Sequence, residues 1–353
     1  MTESMRAIVY RGPKDLRLEQ APVPQIAHDE ALLKVGSSSI CGTDLRIYHG
    51  AHRMYAPGAV RIPGHEVAGE IVQVGAQVSD LEPGQHVFIA PNIGCGHCPE
   101  CISGRNNLCA NYTAIGININ GSFAEYMTIP AAAIRQGNLI PISVELDPAV
   151  AALIEPFACV LRGQNAVDVH VGDNVLVIGA GPIGLMHVLL ARLRGASKVL
   201  LSELLPDRLE QARLFNADRI INPAQENLGD TIAAETHGRG ADVILIAAPA
   251  HQAQEQALEL AAIGGRINLF GGLPKDRPTI TFNSNLVHYK ELVVTGTTAC
   301  STHDCWQAAE IVLSKRIDLA PMISARFTLE EVGQAFTLAE DRRALKVVFD
   351  PRQ

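Results

Sequence analysis

The apolar run Asn174–Ile178 leads directly into Gly179-Ala180-Gly181-Pro182-Ile183-Gly184, after which residues 182–194 carry a helical pattern. A strand, a G-x-G-x-x-G turn and a helix in that order confine the fold more than any other stretch of the chain. The glycines permit a tight turn and let backbone approach a pyrophosphate, while the helix start offers free N–H groups and a positive dipole end. The bland alternative is that these glycines only pack a strand against a helix. Against it stands the continuation: apolar strands at 198–203, 241–247, 266–270 and 291–296 alternate with helical stretches at 206–216, 226–237 and 252–262. Strands buried on both faces and separated by helices predict a doubly wound parallel sheet from Asp173 to about Thr298.

Glu203 closes the second strand, nineteen residues after Gly184. An acidic side chain there accepts hydrogen bonds from the ribose hydroxyls of an adenine dinucleotide and repels a 2′-phosphate, so NAD is expected rather than NADP. Arg208, five residues on, is a further candidate for cofactor contact or a solvated helix arginine.

The chain before residue 140 has another texture. Short strands at 30–35, 67–74, 85–90 and 122–129 are punctuated by Gly42, Pro83-Gly84 and Gly121, which predicts a β-rich domain over 1–150. Within it, Cys95, Cys98, Cys101 and Cys109 are spaced C-x2-C-x2-C-x7-C in a lobe of about residues 91–112. Four thiolates so close on a loop can surround one ion tetrahedrally with no open position, as in a structural zinc site. The rivals are an iron–sulfur cluster and disulfides. The recorded cluster run C-x2-C-x2-C-x3-C-P differs in its last gap and its proline, and disulfides suit small secreted domains. His97 is a substitute ligand only if a thiolate is left out. Residues 299–353 add two helical pieces and a strand-like end at 346–349.

A net charge of −8 argues against nucleic acid or an anionic membrane as the main partner. Residues 1–11 lack an apolar signal core and no apolar run reaches transmembrane length, so a cytoplasmic location is expected.

Cys41-Gly42-Thr43-Asp44 and Gly64-His65-Glu66 offer a thiol, an imidazole and a carboxylate from separate segments, a donor set that suits zinc with an open position. Glu155 is the lone charge in the apolar stretch between Pro148 and Leu161, on a helix that Asp147-Pro148 is placed to start. A lone buried carboxylate is costly unless paired or bound to metal. Each residue alone reads as packed core; the three together point to a catalytic metal. Cys159, Cys300 and Cys305 read as small packed or surface residues, and Trp306 as helix packing.

In their order, Cys41-Gly42-Thr43-Asp44, Gly64-His65-Glu66, the cysteine lobe, Glu155-Pro156 and Gly179 to Gly184 resemble the zinc-dependent medium-chain dehydrogenases. Within that superfamily the likeness is greatest to sorbitol and other polyol dehydrogenases, with threonine dehydrogenases as close relatives. It covers nearly the whole chain. It implies an α/β protein with a GroES-like catalytic domain (1–150), a Rossmann cofactor domain (151–298) and a C-terminal return to the catalytic domain (299–353). It also implies NAD and two zinc ions, one structural and one catalytic. Cys41 and His65 would be the first two catalytic ligands, with Glu66 as the carboxylate ligand and Glu155 close by or exchanging with it. Asp44 would orient His65 through its other ring nitrogen. Thr43 would hydrogen-bond the substrate hydroxyl and begin a proton relay. Arg46 stands where many relatives have the histidine that ends the relay, and a guanidinium cannot accept a proton. The relay would then end in water or at His49. Phe270, Gly271, Thr297 and Thr298 fall at strand ends where relatives contact the nicotinamide half; ordinary loop residues are the alternative.

The expected function is hydride transfer from a secondary hydroxyl of a polyol to NAD, giving a ketose, by a homodimer or homotetramer acting on a small-molecule substrate. A threonine dehydrogenase-like amino-alcohol oxidoreductase is the nearest alternative; those relatives often carry Asp where Glu155 stands. A silent NAD-binding protein is the alternative from another class, and the presence of Cys41, His65 and Glu66 weighs against it. Arg46, Tyr48 and Phe123 are candidate pocket residues.

Overall fold

The computed structural model describes residues 4–351. They fall into two compact units, the described part of Met1–Ala158 with Cys300–Gln353, and Cys159–Ala299.

The first unit is built on a seven-stranded sheet whose central strand is Ala31–Ser39. That strand is buried along almost its whole length, so it needs neighbours on both edges. Glu66–Val74 and Tyr126–Ile129 pair with it antiparallel, and so does Lys346–Phe349 from the far end of the chain. Ser39 lies opposite Glu66 on one side and Val348 on the other. This register carries a metal-ligand candidate and the last strand to the same end of the sheet. Phe123 is fully buried and meets Phe349 and Phe336 edge-on at 5.1 and 6.2 Å. It is therefore core rather than pocket, a correction to the sequence expectation. Such aromatic anchors are worth about 3–5 kcal/mol each on truncation.

The strand expected at 122–129 is shorter, Tyr126–Ile129, because the Ser122 and Phe123 amides donate to Gly64 O and Pro63 O and Phe123 O accepts from Ile8 N. A hairpin, Ser4–Gly12 with Asp15–Pro22, precedes the first strand anticipated from sequence.

The second unit holds a six-stranded, all-parallel sheet. Across the sheet its strands run Arg219–Ile221, Lys198–Ser202, Asn174–Ile178, Ala241–Ile246, Ala261–Leu269 and Val293–Gly296. Numbered along the chain this is 3-2-1-4-5-6, the Rossmann order, in which ligands lie beyond the carboxyl ends of the strands. Val175, Leu176 and Val177 have no exposed surface, which is why the first strand reads as an unbroken apolar run.

The helix expected at 252–262 is His251–Leu260, since Ala261 already pairs with Ala241. A helix at Ser284–Lys290, not anticipated from sequence, ends on the left-handed Glu291 and delays the last strand to Val293.

Candidate metal centres and glycine-loop site

Cys41 caps the helix Gly42–Tyr48, and its amide donates to Asp44 Oδ2 at 2.9 Å. The carboxylate is thus fixed in the first turn, with its other oxygen, Oδ1, 3.5 Å from His65 Nδ1. His65 enters the site from a tight turn at Gly64, whose φ is +97°. A Cβ at Gly64 would come within 2.6 Å of the Phe123 ring and 2.7 Å of Ser122 Oγ, so only glycine fits. Glu66 begins the next strand, fully buried. One ligand atom each from Cys41, His65 and Glu66 lies within 4.8 Å of the others.

The donor set suits a cation. Glu66 Oε1 is buried without a hydrogen-bond partner, an arrangement costly for a polar group left bare. Burial pushes the His65 imidazolium down, yet the charges of Asp44 and Cys41 outweigh it and hold its pKa well above the histidine range. Thiol, imidazole and carboxylate form the donor set of an open zinc site, and they fit that ion.

Lys346 was missed from sequence. It is buried, its ammonium contacts Glu66 Oε2, and it donates to Ile40 O at 3.0 Å. Burial lowers its pKa, but the charges of Glu66, Cys41 and Glu155 bring it above the ordinary lysine value. Tyr112, also missed, is a half-buried phenol raised by burial, with the charges of His65 and Arg53 pulling the other way.

Glu155 starts the helix Ile154–Ala166, with Pro156 tolerated in its first turn. The preceding helix, Pro148–Ala152, is a separate piece capped by Asp147, whose side chain accepts from Ala149 N. Among the described residues Glu155 stands outside the Cys41, His65 and Glu66 group, and its Oε1 accepts from Cys300 Sγ at 3.5 Å. Burial raises its pKa, with His65 opposing and Glu66 adding to the rise.

Thr43 Oγ1 accepts from Arg46 Nη2 at 3.0 Å. His49 Nε2 is paired with Glu340, so Arg46 rather than His49 is the neighbour of Thr43. Tyr48 packs its ring on Phe336 at 5.3 Å.

In the cysteine lobe the Sγ atoms of Cys95, Cys98, Cys101 and Cys109 all lie within 4.8 Å of one another, and no disulfide joins them. Amides of His97 and Cys98 lower the Cys95 thiol to about 6, whereas burial pushes Cys101 to about 12. Four converging thiols fit one tetrahedral ion. His97 is exposed, its ring on Cys95 O, and is not in the group. Asn106 ties the lobe down, donating to Asn92 O at 2.7 Å and Thr302 Oγ1 at 3.1 Å.

In the second unit Gly179 has φ +101°, and Gly181 caps the helix Pro182–Leu193, so Pro182 and Ile183 form its first turn. A Cβ at Gly184 would sit 1.8 Å from Gly179 O, so the helix can approach the turn only as glycine. Glu203 holds this loop: Oε2 accepts from Ala180 N at 2.8 Å, and Oε1 from Leu204 N and Leu205 N at 2.6 and 2.9 Å. Arg208 Nη1 lies 3.9 Å from Glu203 and 3.3 Å from the point a Gly181 Cβ would occupy. It packs over the glycine loop and is not the solvated arginine its sequence allowed. At later strand ends, a Cβ on Gly271 would strike Ala248 backbone at 2.8 Å, and Phe270 meets the buried His187 edge-on at 5.0 Å. Thr297 Oγ1 donates to Asn268 Oδ1 at 3.3 Å, with Thr298 next along the chain.

Residues 27–143 match the alcohol dehydrogenase GroES-like domain, and residues 182–314 match the zinc-binding dehydrogenase family. The chain is 32% identical to L-threonine 3-dehydrogenase of Rhizobium johnstonii, over 99% of both chains. It superposes with TM-score 0.91 and 32% identity on a chain from Sinorhizobium meliloti 1021 bound to NADP, covering 99% of this chain and 100% of that one. Galactitol-1-phosphate dehydrogenase from Escherichia coli aligns with TM-score 0.88 and 28% identity, over 98% and 100% of the two chains. The chain belongs to the zinc-dependent medium-chain dehydrogenase superfamily, as an alcohol dehydrogenase of that group.

Proposed function

We propose that this enzyme oxidises a secondary hydroxyl of a polyol to a ketone with NAD, using one catalytic and one structural zinc per chain in a homodimer or homotetramer. The convergence of Cys41, His65 and Glu66, with Asp44 behind the imidazole, carries this reading.

Cys41, His65 and Glu66 would hold the catalytic ion, with Glu155 close by or exchanging with Glu66, and Cys95, Cys98, Cys101 and Cys109 would hold the structural one. Bound zinc supplies a Lewis acid that makes an alcohol hydroxyl acidic near neutral pH. NAD supplies the hydride acceptor. Asp44 keeps His65 in one orientation, leaving Nε2 for the ion. Lys346 neutralises one oxygen of Glu66 and so limits the anionic charge of the pocket. Thr43 would take the substrate hydroxyl's hydrogen bond, and Arg46, which donates to Thr43 Oγ1, cannot pass a proton on. The proton then leaves through water. Gly179, Gly181 and Gly184 would admit the pyrophosphate, with the helix start at Pro182 and Ile183 facing it. Glu203 and Arg208 would bound the adenosine ribose, and Phe270, Gly271, Thr297 and Thr298 would border the nicotinamide half.

A second reading, oxidation of an amino alcohol such as threonine, draws support from the relative named for that reaction. Absorbance of reduced nicotinamide separates the two, with NAD and NADP offered alongside pentitols, hexitols, tetritols, their phosphates, aldonates and threonine. A rate with a polyol and NAD supports the first; a rate with threonine alone supports the second. Full turnover in His65→Ala would remove the catalytic-metal assignment from both.

A further inference from the structure

Ser301 caps the helix Thr302–Leu313 in a reciprocal box: its Oγ accepts from Asp304 N at 3.1 Å, and Asp304 Oδ2 accepts from Ser301 N at 2.8 Å. In this arrangement the residue before the cap and the fourth helical residue pack against each other, usually as an apolar staple. Here those two residues are Cys300 and Cys305. Their Sγ atoms are 3.5 Å apart, both side chains are fully buried, and the Cys300 carbonyl is held by Asn92 Nδ2 at 2.8 Å. Cys300 Sγ also donates to Glu155 Oε1 at 3.5 Å. The cap thus aligns two thiols, and one of them is the donor to a carboxylate beside the candidate metal centre.

We propose that Cys300 and Cys305 are an oxidation site, closed to a disulfide by hydrogen peroxide, and that closure lowers turnover by withdrawing the thiol from Glu155. Peroxide suits the site because it is uncharged and close to water in size, whereas burial shuts out bulky oxidants. The sulfur of one cysteine attacks a peroxide oxygen and the O–O bond breaks. Its thiol proton leaves with the departing hydroxide as water, and a sulfenic acid remains. The second sulfur then attacks the sulfenic sulfur, the S–O bond breaks, and a second water departs with that thiol's proton. Two thiols are oxidised by two electrons and one peroxide is reduced to two waters. A thiol reductant reverses the step. A bond needs the sulfurs about 2.05 Å apart, so Cys300 must turn toward Cys305 and away from Glu155.

The effect on turnover rests on the proposed function; the disulfide itself does not. The test treats the zinc-loaded protein with graded peroxide, alkylates it after denaturation and digests it with trypsin. Cys300 and Cys305 fall in one peptide, residues 291–315. The expected result is that this peptide loses two hydrogens and escapes alkylation at both cysteines, with turnover falling in parallel by about tenfold, the scale seen when a ligand's supporting contact is lost. Dithiothreitol restores both, and Cys305→Ala keeps its turnover at the same dose. Zinc release is followed in parallel, so damage to the Cys95 lobe is scored separately. Alkylation of both cysteines at doses that already release zinc would overturn the site. A disulfide with unchanged turnover would overturn the coupling to Glu155. Should no tested alcohol be oxidised, the proposed function fails while the peptide mass still decides the disulfide.

Discussion

Lys346 sets its ammonium against one oxygen of Glu66, while the other oxygen of that carboxylate is buried without a hydrogen-bond partner. The two residues lie 280 positions apart and meet through the central strand that pairs with both of theirs. The pair leaves Glu66 half neutralised and half available.

Replacing Lys346 strands a buried charge. Lys346→Met should destabilise the metal-free protein by about 3–5 kcal/mol, the range for breaking one side of a buried pair. Zinc would take over the neutralisation of Glu66, so the loss should be smaller in the zinc-loaded protein. Urea unfolding with and without a chelator measures both; equal losses would argue against Glu66 facing the ion.

Glu203 serves the glycine loop as well as any ribose. Glu203→Gln cannot accept at both oxygens, so it should cost about 1.5–3 kcal/mol per weakened charged hydrogen bond in the cofactor-free protein. It should also narrow the proposed preference for NAD over NADP. A faster rate with NADP in the unaltered enzyme would reverse the cofactor assignment.

The cysteine lobe makes a stoichiometric prediction. The purified protein should carry two zinc ions per chain and Cys98→Ser one, because three thiols and a hydroxyl no longer close a tetrahedral thiolate site. Elemental analysis reads this directly, and an unchanged zinc content would remove the structural site.

His187 is buried, and burial lowers its pKa to about 3, with Arg194 adding to the fall. The folded state holds it neutral while the unfolded chain protonates it near 6.5. The unfolded state therefore binds the extra proton between those values, and stability present above about 6.5 is lost as pH falls toward 3. At pH 5 the linkage costs about 2 kcal/mol relative to neutral pH. His187→Gln should flatten this acid limb in urea titrations at pH 5 and 7.5; an identical pH slope would show that the histidine is solvated.

The parallel sheet was legible because strands covered on both faces, such as Asn174–Ile178, must be apolar throughout. The thiol array and the glycine turn were legible because their chemistry is confined to short spacings. Ser284–Lys290 was not, since its seven residues include no buried side chain to impose a period. Lys346 and the Cys300 contact with Glu155 depend on strand and helix register across most of the chain, which no local pattern records. Phe123 read as a pocket residue only through its nearness to the motifs, and the edge-on contacts that bury it come from residues 336 and 349.

Strand Lys346–Phe349 carries a consequence for biosynthesis. Cys41, His65 and Glu66 leave the ribosome well before the ammonium that balances their charge and the strand that completes their sheet, about 280 residues later. The contiguous stretch Cys159–Ala299 has every strand of its own sheet in hand before then. The nascent chain should therefore acquire a folded Rossmann half while its GroES-like half still waits for the strand Lys346–Phe349 to arrive.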